Sequence, residues 1–249
     1  MKILVCISNV PDTTTKIKFV NNNTMFDNQG VQWIINPWDE LALTRALELK
    51  ESSNGNITEV CVINVGTKDT EPTIRKALAI GADKAIRINT EPKDAFIVAT
   101  QLSEAIKKDN FDIIMCGIES SDYNGSAVGG MLAELLDIPS ISSASSLNIS
   151  GNEITIDREN DGGREVLSSS LPLLVIVQKG ITKEPRIPSM RGIMSARTKP
   201  LTTIEPTAVE PLVSFDNYLL PQSKAACKMV SSDDPKELIN LLHNEAKVF

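Results

Sequence analysis

One histidine, His243, occurs in 249 residues, so a multi-histidine metal cluster is excluded by count and a histidine-centred triad is left this single residue. It sits in a polar, helix-like C-terminal segment, where an exposed or capping role is expected. The four cysteines are too scattered for a disulfide framework or a zinc site; Cys6, Cys61 and Cys116 lie in apolar runs, where a thiol is a small hydrophobe. There is no Gly-x-Gly-x-x-Gly and no Walker Lys-Ser/Thr, so neither a dinucleotide fingerprint nor a hydrolytic P-loop is present. Aromatics make up only 4% of the chain, leaving few rings to stack a planar ligand. No stretch is long enough to span a bilayer, and Met1 opens into an apolar strand without an h-region or a cleavage site. No membrane insertion and a cytoplasmic location are therefore expected. Bases are outnumbered by acids, 25 to 32, and the formal charge of −7 would repel a phosphate backbone, so nucleic acid is not expected as a partner.

What is present reads as one α/β body with a tail. Residues 2–7, 59–65, 85–88, 112–116 and 173–178 are short apolar runs of the kind that become buried strands. Between them lie helical stripes: Leu41, Ala42, Ala46, Leu47 and Leu49; Ile74, Ala77 and Leu78; Phe96, Ala99, Leu102 and Ile106. Asn36 is placed to cap the first helix, with Pro37 at its first position and Asp39 in its first turn; Gly81 ends the second. This alternation predicts a doubly wound, mostly parallel, Rossmann-like sheet over residues 1–180, with ligand sites beyond the carboxyl ends of strands near a topological switch point. Residues 181–200 read as an exposed basic loop, and residues 201–249 as a Pro- and Ser-punctuated arm whose last helix starts at Asp234, Pro235 and Glu237.

The segment after residue 116 is a strand, a small-residue loop and a helix start: Gly117, Ile118, Glu119, Ser120, Ser121, Asp122, Tyr123, Asn124, Gly125, Ser126, Ala127, Val128, Gly129. Glycines admit a phosphate to the backbone, and first-turn amides and the helix dipole favour its charge, so residues 124–129 read as a phosphate cradle. On spacing alone, a tight turn with close helix packing accounts for them equally well. The loops of residues 8–15 and 66–70 should converge on the same edge. Asp12 suits either a cofactor hydroxyl or, more commonly, turn stabilisation. The run DRENDGG, with Gly162 and Gly163 marking a turn, reads by composition as a charged hairpin tip, and Trp33 and Trp38 as packing residues.

The segments KILVCISNVPDT, INPWDELALTRALELK, TIRKALAIGADKA, GIESSDYNGSAVGG, DRENDGG and KEPRIPSMRGIMSAR occur in this order and together resemble the beta subunit of electron-transfer flavoproteins, over nearly the whole chain to about Thr203. The resemblance implies a heterodimer: an alpha subunit holds the redox FAD, and the beta subunit buries AMP in ordinary members or a second FAD in electron-bifurcating ones. It implies an electron carrier and not an enzyme, serving dehydrogenases such as acyl-CoA dehydrogenases and passing electrons to a membrane quinone oxidoreductase or another acceptor. Carried over, the adenine-nucleotide positions are Cys6, Asn36, Pro37, Trp38, Asp39, Val65 and Gly66, with Gly117, Asp122, Asn124, Gly125, Ser126, Ala127, Val128 and Gly129 as the phosphate loop. Arg158 and Glu159 fall in the segment that faces the alpha-bound flavin, Met190 in the dehydrogenase-recognition loop, and the C-terminal arm and helix on the alpha subunit.

The chain also departs from the family. Bifurcating members typically read Asp-Gly-Asp-Thr-Ala-Gln-Val-Gly in the phosphate loop and ordinary ones Asp-x-Asp-x-x-Gln-Thr-Gly. Here Asp122 and Gly129 remain, Asn124 replaces an acid, Ala127 replaces the glutamine, and Tyr123 stands where bifurcating members have glycine. The N-terminal VPDT favours the bifurcating branch and Tyr123 opposes it; AMP is the expected ligand. Thr13 stands where some members place a tyrosine near the flavin. The competing readings are a stand-alone adenine-nucleotide module, which needs neither basic arm nor terminal helix, and a nucleotide-using ligase or hydrolase, for which no machinery is visible.

Overall fold

The computed structural model describes residues 1–151, 153–224 and 226–249. The chain runs through β1 (Lys2–Cys6), β2 (Asn9–Pro11), β3 (Phe19–Val20), β4 (Met25–Phe26), β5 (Trp33–Ile35), α1 (Pro37–Ser52), β6 (Glu59–Val65) and α2 (Glu71–Ile80). It continues through β7 (Lys84–Ile88), α3 (Ala95–Ile106), β8 (Ile113–Gly117), α4 (Val128–Leu136), β9 (Ser140–Ser150), β10 (Glu153–Asn160), β11 (Gly163–Ser169) and β12 (Leu173–Val177). After β12 come α5 (Met190–Ala196), β13 (Leu201–Ile204) and α6 (Pro235–Asn244).

One sheet of nine strands has the order β11-β10-β9-β12-β8-β1-β6-β7-β13. Every pairing from β9 to β13 is parallel; β10 and β11 extend the β9 edge antiparallel. The central strands are apolar at consecutive positions because both faces are covered. Ile3, Val5, Val60, Val62, Ile113, Met115, Leu173 and Val175 join the core that includes α1 and α2 residues. Leu4, Cys6, Cys61, Ile63, Ile114, Cys116, Leu174 and Ile176 join the other core, with α3 and α4 residues. Period-two alternation thus assigns each strand residue to one of two helix layers, and the sheet is doubly wound as the alternating pattern predicts.

Among the elements the residue pattern did not mark are two strands of the main sheet, and a short helix interrupts the basic stretch. β9 extends the sheet beyond β12, so Arg158 and Glu159 stand within the β10–β11 ladder, opposite Glu165 and Arg164, instead of at the hairpin tip. β13, in the punctuated arm, pairs with β7 from Leu201↔Ala85 to Ile204↔Ile88; it is short and half-covered, which hides it in sequence. α5 forms inside the basic stretch because the Ser189 hydroxyl caps it, accepting the Gly192 N–H at 3.0 Å. It packs on α2 so closely that a Cβ on Gly192 would strike the Ala79 carbonyl oxygen. The tail is held there by Arg75, which donates to the carbonyls of Ala196 and Lys199, both at 2.8 Å. Lys199 in turn donates to the Leu78 carbonyl at the end of α2 (2.9 Å) and to the Ala82 carbonyl just beyond it (2.6 Å).

Candidate functional site

Neighbouring strands β1 and β8 send the chain away in opposite senses. β1 leads through α1 to β6 on one side, and β8 leads through α4 towards β9 on the other, so their carboxyl ends open a crevice at the switch point. The start of α1 closes its floor. The Asp39 carboxylate is buried and accepts the N–H of Ser8, just past β1, and the N–H of Gly117, at the end of β8, each at 2.8 Å. Burial pushes Asp39 up to about 6 against the opposing pull of those two N–H donors. Gly117 is required by this approach: a Cβ would lie 2.5 Å from the Trp38 Cβ and 2.6 Å from Asp39 Oδ1.

Asn36 works beside it, but not in the expected way. It occupies the N-cap position of α1, yet its side chain makes no cap bond. Its amide donates to the Glu119 carbonyl at 2.8 Å and accepts the Ser121 N–H at 3.2 Å, while its own N–H donates to the Ser8 carbonyl at 3.0 Å. The partners are orphaned loop groups 83 and 85 residues away in sequence, so the side chain spends its hydrogen bonds on tertiary structure. Pro37, which follows it, lacks an N–H to be capped.

A third strand end is tied in by a residue the sequence reading passed over. Buried Asn64 donates to the Ile7 carbonyl at 2.8 Å and accepts the Thr70 hydroxyl at 2.9 Å. A lone asparagine in the apolar run EVCVINV is a visible signal, since a polar group in a strand covered on both faces needs a partner. Gly66, next to buried Val65, sits against this pair; a Cβ there would lie 2.5 Å from the Thr70 methyl. Cys6 and Cys116, adjacent at the crevice base, are buried, and burial pushes both thiols well up, so they are inert packing residues.

Above this floor runs the loop to α4. Asn124 and Ser126 adopt left-handed φ values of 51° and 47°, rare for residues with a Cβ. The Asn124 N–H donates to the Ser120 carbonyl at 2.9 Å and the Ser126 hydroxyl to the Glu119 carboxylate at 3.2 Å. Asp122, Tyr123, Asn124, Gly125 and Ser126 are exposed, and Ala127 and Val128 are half-buried. Gly129 is fixed by packing, because a Cβ would lie 2.7 Å from Ile176, whereas the space beside Gly125 and Gly130 is open. α4 has no side-chain cap, and the first amide to bond back is that of Met131, to the Ala127 carbonyl at 3.1 Å. The first-turn amides of Val128, Gly129 and Gly130 are therefore those a helix start leaves unpaired within itself. The Ser121 hydroxyl oxygen is sealed from solvent without a hydrogen-bond partner.

The remaining predicted residues lie elsewhere. Arg158 pairs with Glu165 at 3.2 Å, and the Glu159 carboxylate accepts the Gln178 amide at 3.1 Å, both on the antiparallel extension. Met190 opens α5 and is 77% exposed. Asp12 accepts both the N–H and the hydroxyl of Thr14, at 2.8 and 2.6 Å, which is the turn-stabilising role. With Lys16, Lys18 and Asp27 it lines a polar cavity of about 370 Å³ whose lining shares no residue with the crevice. Among the described residues no group of His, Cys, Asp or Glu is arranged to hold a metal ion.

A family profile described as the electron transfer flavoprotein domain matches residues 23–209. The chain belongs to the electron transfer flavoprotein family. It is 37% identical to an electron transfer flavoprotein subunit beta of Bacillus subtilis, with all of both chains covered. It is 36% identical to a Syntrophomonas wolfei protein of the same name, over all of this chain and 98% of the other. The mitochondrial subunit beta of Oryza sativa subsp. japonica is 31% identical over the whole of both. The similarity places this member of the electron transfer flavoproteins among the beta subunits. The family profile stops before α6, whereas the full-length relatives continue through it. Among the described residues no helix is long and apolar enough to cross a membrane.

Removing the Asp39 carboxylate orphans two backbone donors, so Asp39→Ala should lower the unfolding free energy at pH 7 by about 2–4 kcal/mol. Because its pKa rises from 3.8 to about 6 on folding, the folded chain keeps a proton there that the unfolded chain has released. That contribution is full below the lower value, declines as pH rises to about 6, and is constant above it. Urea unfolding from pH 4 to 8 should show this declining limb in the wild type and not in Asp39→Asn; identical profiles would remove the assignment.

Proposed function

We propose that this chain is the beta subunit of a cytoplasmic, heterodimeric electron carrier. It binds AMP in the β1–β8 crevice and pairs with an alpha subunit that holds FAD. It is a binding and docking subunit without a reaction of its own. The observation that carries the nucleotide reading is the conjunction of an uncapped α4 start, a solvent-sealed Ser121 hydroxyl without a partner and the open space at Gly125. These are groups that an anionic ligand satisfies. The amides of Val128, Gly129 and Gly130 would hold the phosphate, and the ends of β1, β6 and β8, with Cys6, Val65 and Gly66, would flank the rest of the nucleotide. Asn36, Pro37, Trp38 and Asp39 position the loop from beneath.

Three further surfaces serve partners in this reading. α5 presents Met190 together with exposed Ile187 and Met194, flanked by Arg191 and Arg197, on a helix clamped to α2. Flexible apolar side chains ringed by bases suit docking into an apolar pocket with an acidic border, as an acyl-CoA dehydrogenase or similar flavin donor would offer. α6 has no buried residue, and its Leu238 and Ile239 are exposed, so the arm has an apolar face available to the alpha subunit. Arg158 brings positive charge to the antiparallel extension, where it would favour the negatively charged, reduced state of a flavin across the junction; Glu165 offsets part of that charge. Electrons then leave to a quinone oxidoreductase or another acceptor.

Nucleotide extracted from the purified chain should be AMP at one per chain, without yellow colour; stoichiometric flavin in the isolated subunit would assign a second FAD to the crevice. In the heterodimer, Arg158→Ala should lower the flavin's midpoint potential, measured by spectroelectrochemical titration, and an unchanged potential would leave Arg158 a ladder residue only. Met190→Ala should slow electron uptake from the donor dehydrogenase about tenfold while leaving assembly, flavin content and thermal stability unchanged. Early unfolding or failed pairing with normal donor kinetics would make Met190 a packing residue.

A further inference from the structure

Both tyrosines of the chain and two of its six phenylalanines form one line of contacts, although they lie in three separate segments. Phe19 of β3 stacks on Tyr218 with centroids 5.0 Å apart, Tyr218 on Phe215 at 6.1 Å, and Phe215 meets Tyr123 at 5.4 Å. Tyr123 belongs to the loop between β8 and α4; Phe215 and Tyr218 belong to the arm after β13. In a chain with so few rings, this concentrates them where the arm crosses the crevice loop.

The arm reaches that position along the strand-carboxyl edge, held at successive points. Gln101 on α3 exchanges two hydrogen bonds with the backbone of Thr207, at 2.6 and 2.9 Å. The Asp94 carboxylate caps α3 with one oxygen, accepting the Ile97 N–H at 2.7 Å, and with the other accepts the arm's Leu212 and Val213 N–H groups at 2.6 and 3.0 Å. Beyond the rings, the Tyr218 N–H donates to the Asn23 carbonyl at 2.8 Å. Asn23 closes the β3–β4 turn, in which Asn21, Asn22 and Asn23 all have φ between 53° and 64°. α3 starts after β7, the Tyr123 loop follows β8, and the β3–β4 hairpin follows β1 and β2, so the arm spans the edge on which the crevice opens. The intervening arm residues are largely exposed, which marks a segment held by a few contacts that can open locally while the core stays folded.

We infer that residues 205–218 are a strap that clamps the loop of residues 118–127 through Tyr123, so that opening the strap frees the loop and releases what the crevice holds. The release step rests on the nucleotide reading above; the clamp itself does not. Hydrogen exchange of the full-length chain, with and without AMP, tests both. Phe215→Ala removes the central ring of a residue already 47% exposed, so the fold persists. It should speed amide exchange in residues 118–127 about tenfold, leave β1 unchanged, and raise the AMP dissociation rate by a similar factor. Asp94→Asn keeps the cap oxygen and loses the acceptor for Leu212 and Val213; it should loosen the same loop without touching it, whereas Leu219→Ala, outside the stack, should not. Unchanged loop exchange in Phe215→Ala and Asp94→Asn, or a loosened loop with unaltered AMP release, overturns the strap. If the wild type binds no AMP, the nucleotide reading fails, and loop exchange alone still decides the clamp.

Discussion

Two strands that part company at their carboxyl ends leave backbone groups that no ladder can satisfy, and the crevice depends on how this is met. Asn36 and Asp39, one turn apart at the start of α1, serve that purpose for the loops after both β1 and β8. A carboxylate with two N–H donors and a side-chain amide used in both directions tolerate burial because each polar atom has a partner. The cost is visible in the raised pKa of Asp39. The benefit is a rigid base, with Asn64 extending it to β6, above which the loop to α4 holds left-handed residues and an unpartnered hydroxyl. Strain and unmet hydrogen-bonding capacity collect where the scaffold beneath is most firmly tied.

The same division of labour extends outward. The core is apolar on both faces of the sheet, while the peripheral segments are attached at its edges, in part by a few polar contacts. α5 rests on α2 through Gly192 and is reinforced by Arg75 and Lys199; the arm follows the strand-carboxyl edge through Gln101, Asp94 and the aromatic line; α6 has no buried residue. In this member of the electron transfer flavoproteins the sheet interior is thus kept separate from the elements hung on its edges.

Much of the parallel core was legible because buried strands write themselves as continuous apolar runs and their crossovers as helical stripes. The strand 59–65 was readable to the residue, and β1, β7, β8 and β12 to within one. The half-exposed strands were not: β9 reads as a serine-rich segment because only Ile141, Ala144 and Leu147 of it are buried, and β13 as part of a punctuated arm because an edge strand need be apolar at few positions. Within the site, Asn36, Asp39 and Gly117 were singled out, but Asn36 was given a local capping role. Local grammar cannot reveal a partner more than eighty residues distant. Asn36 meets Glu119 and Ser121 through their main chains, and the main-chain contribution leaves no trace in side-chain identity.

Residue order alone therefore determined the doubly wound class, the edge on which a ligand site is expected in such a sheet and, through its separated motifs, the family. The class and the edge follow from periodicity and spacing, and the family from the resemblance of those motifs to known members; all are properties of a linear string. Tertiary structure decided which polar groups meet across the switch point, which glycines serve packing and which border open space, and where four scattered aromatic rings come into contact. Those outcomes depend on distances between segments far apart in the chain, and such distances exist only once both faces of the sheet have been covered.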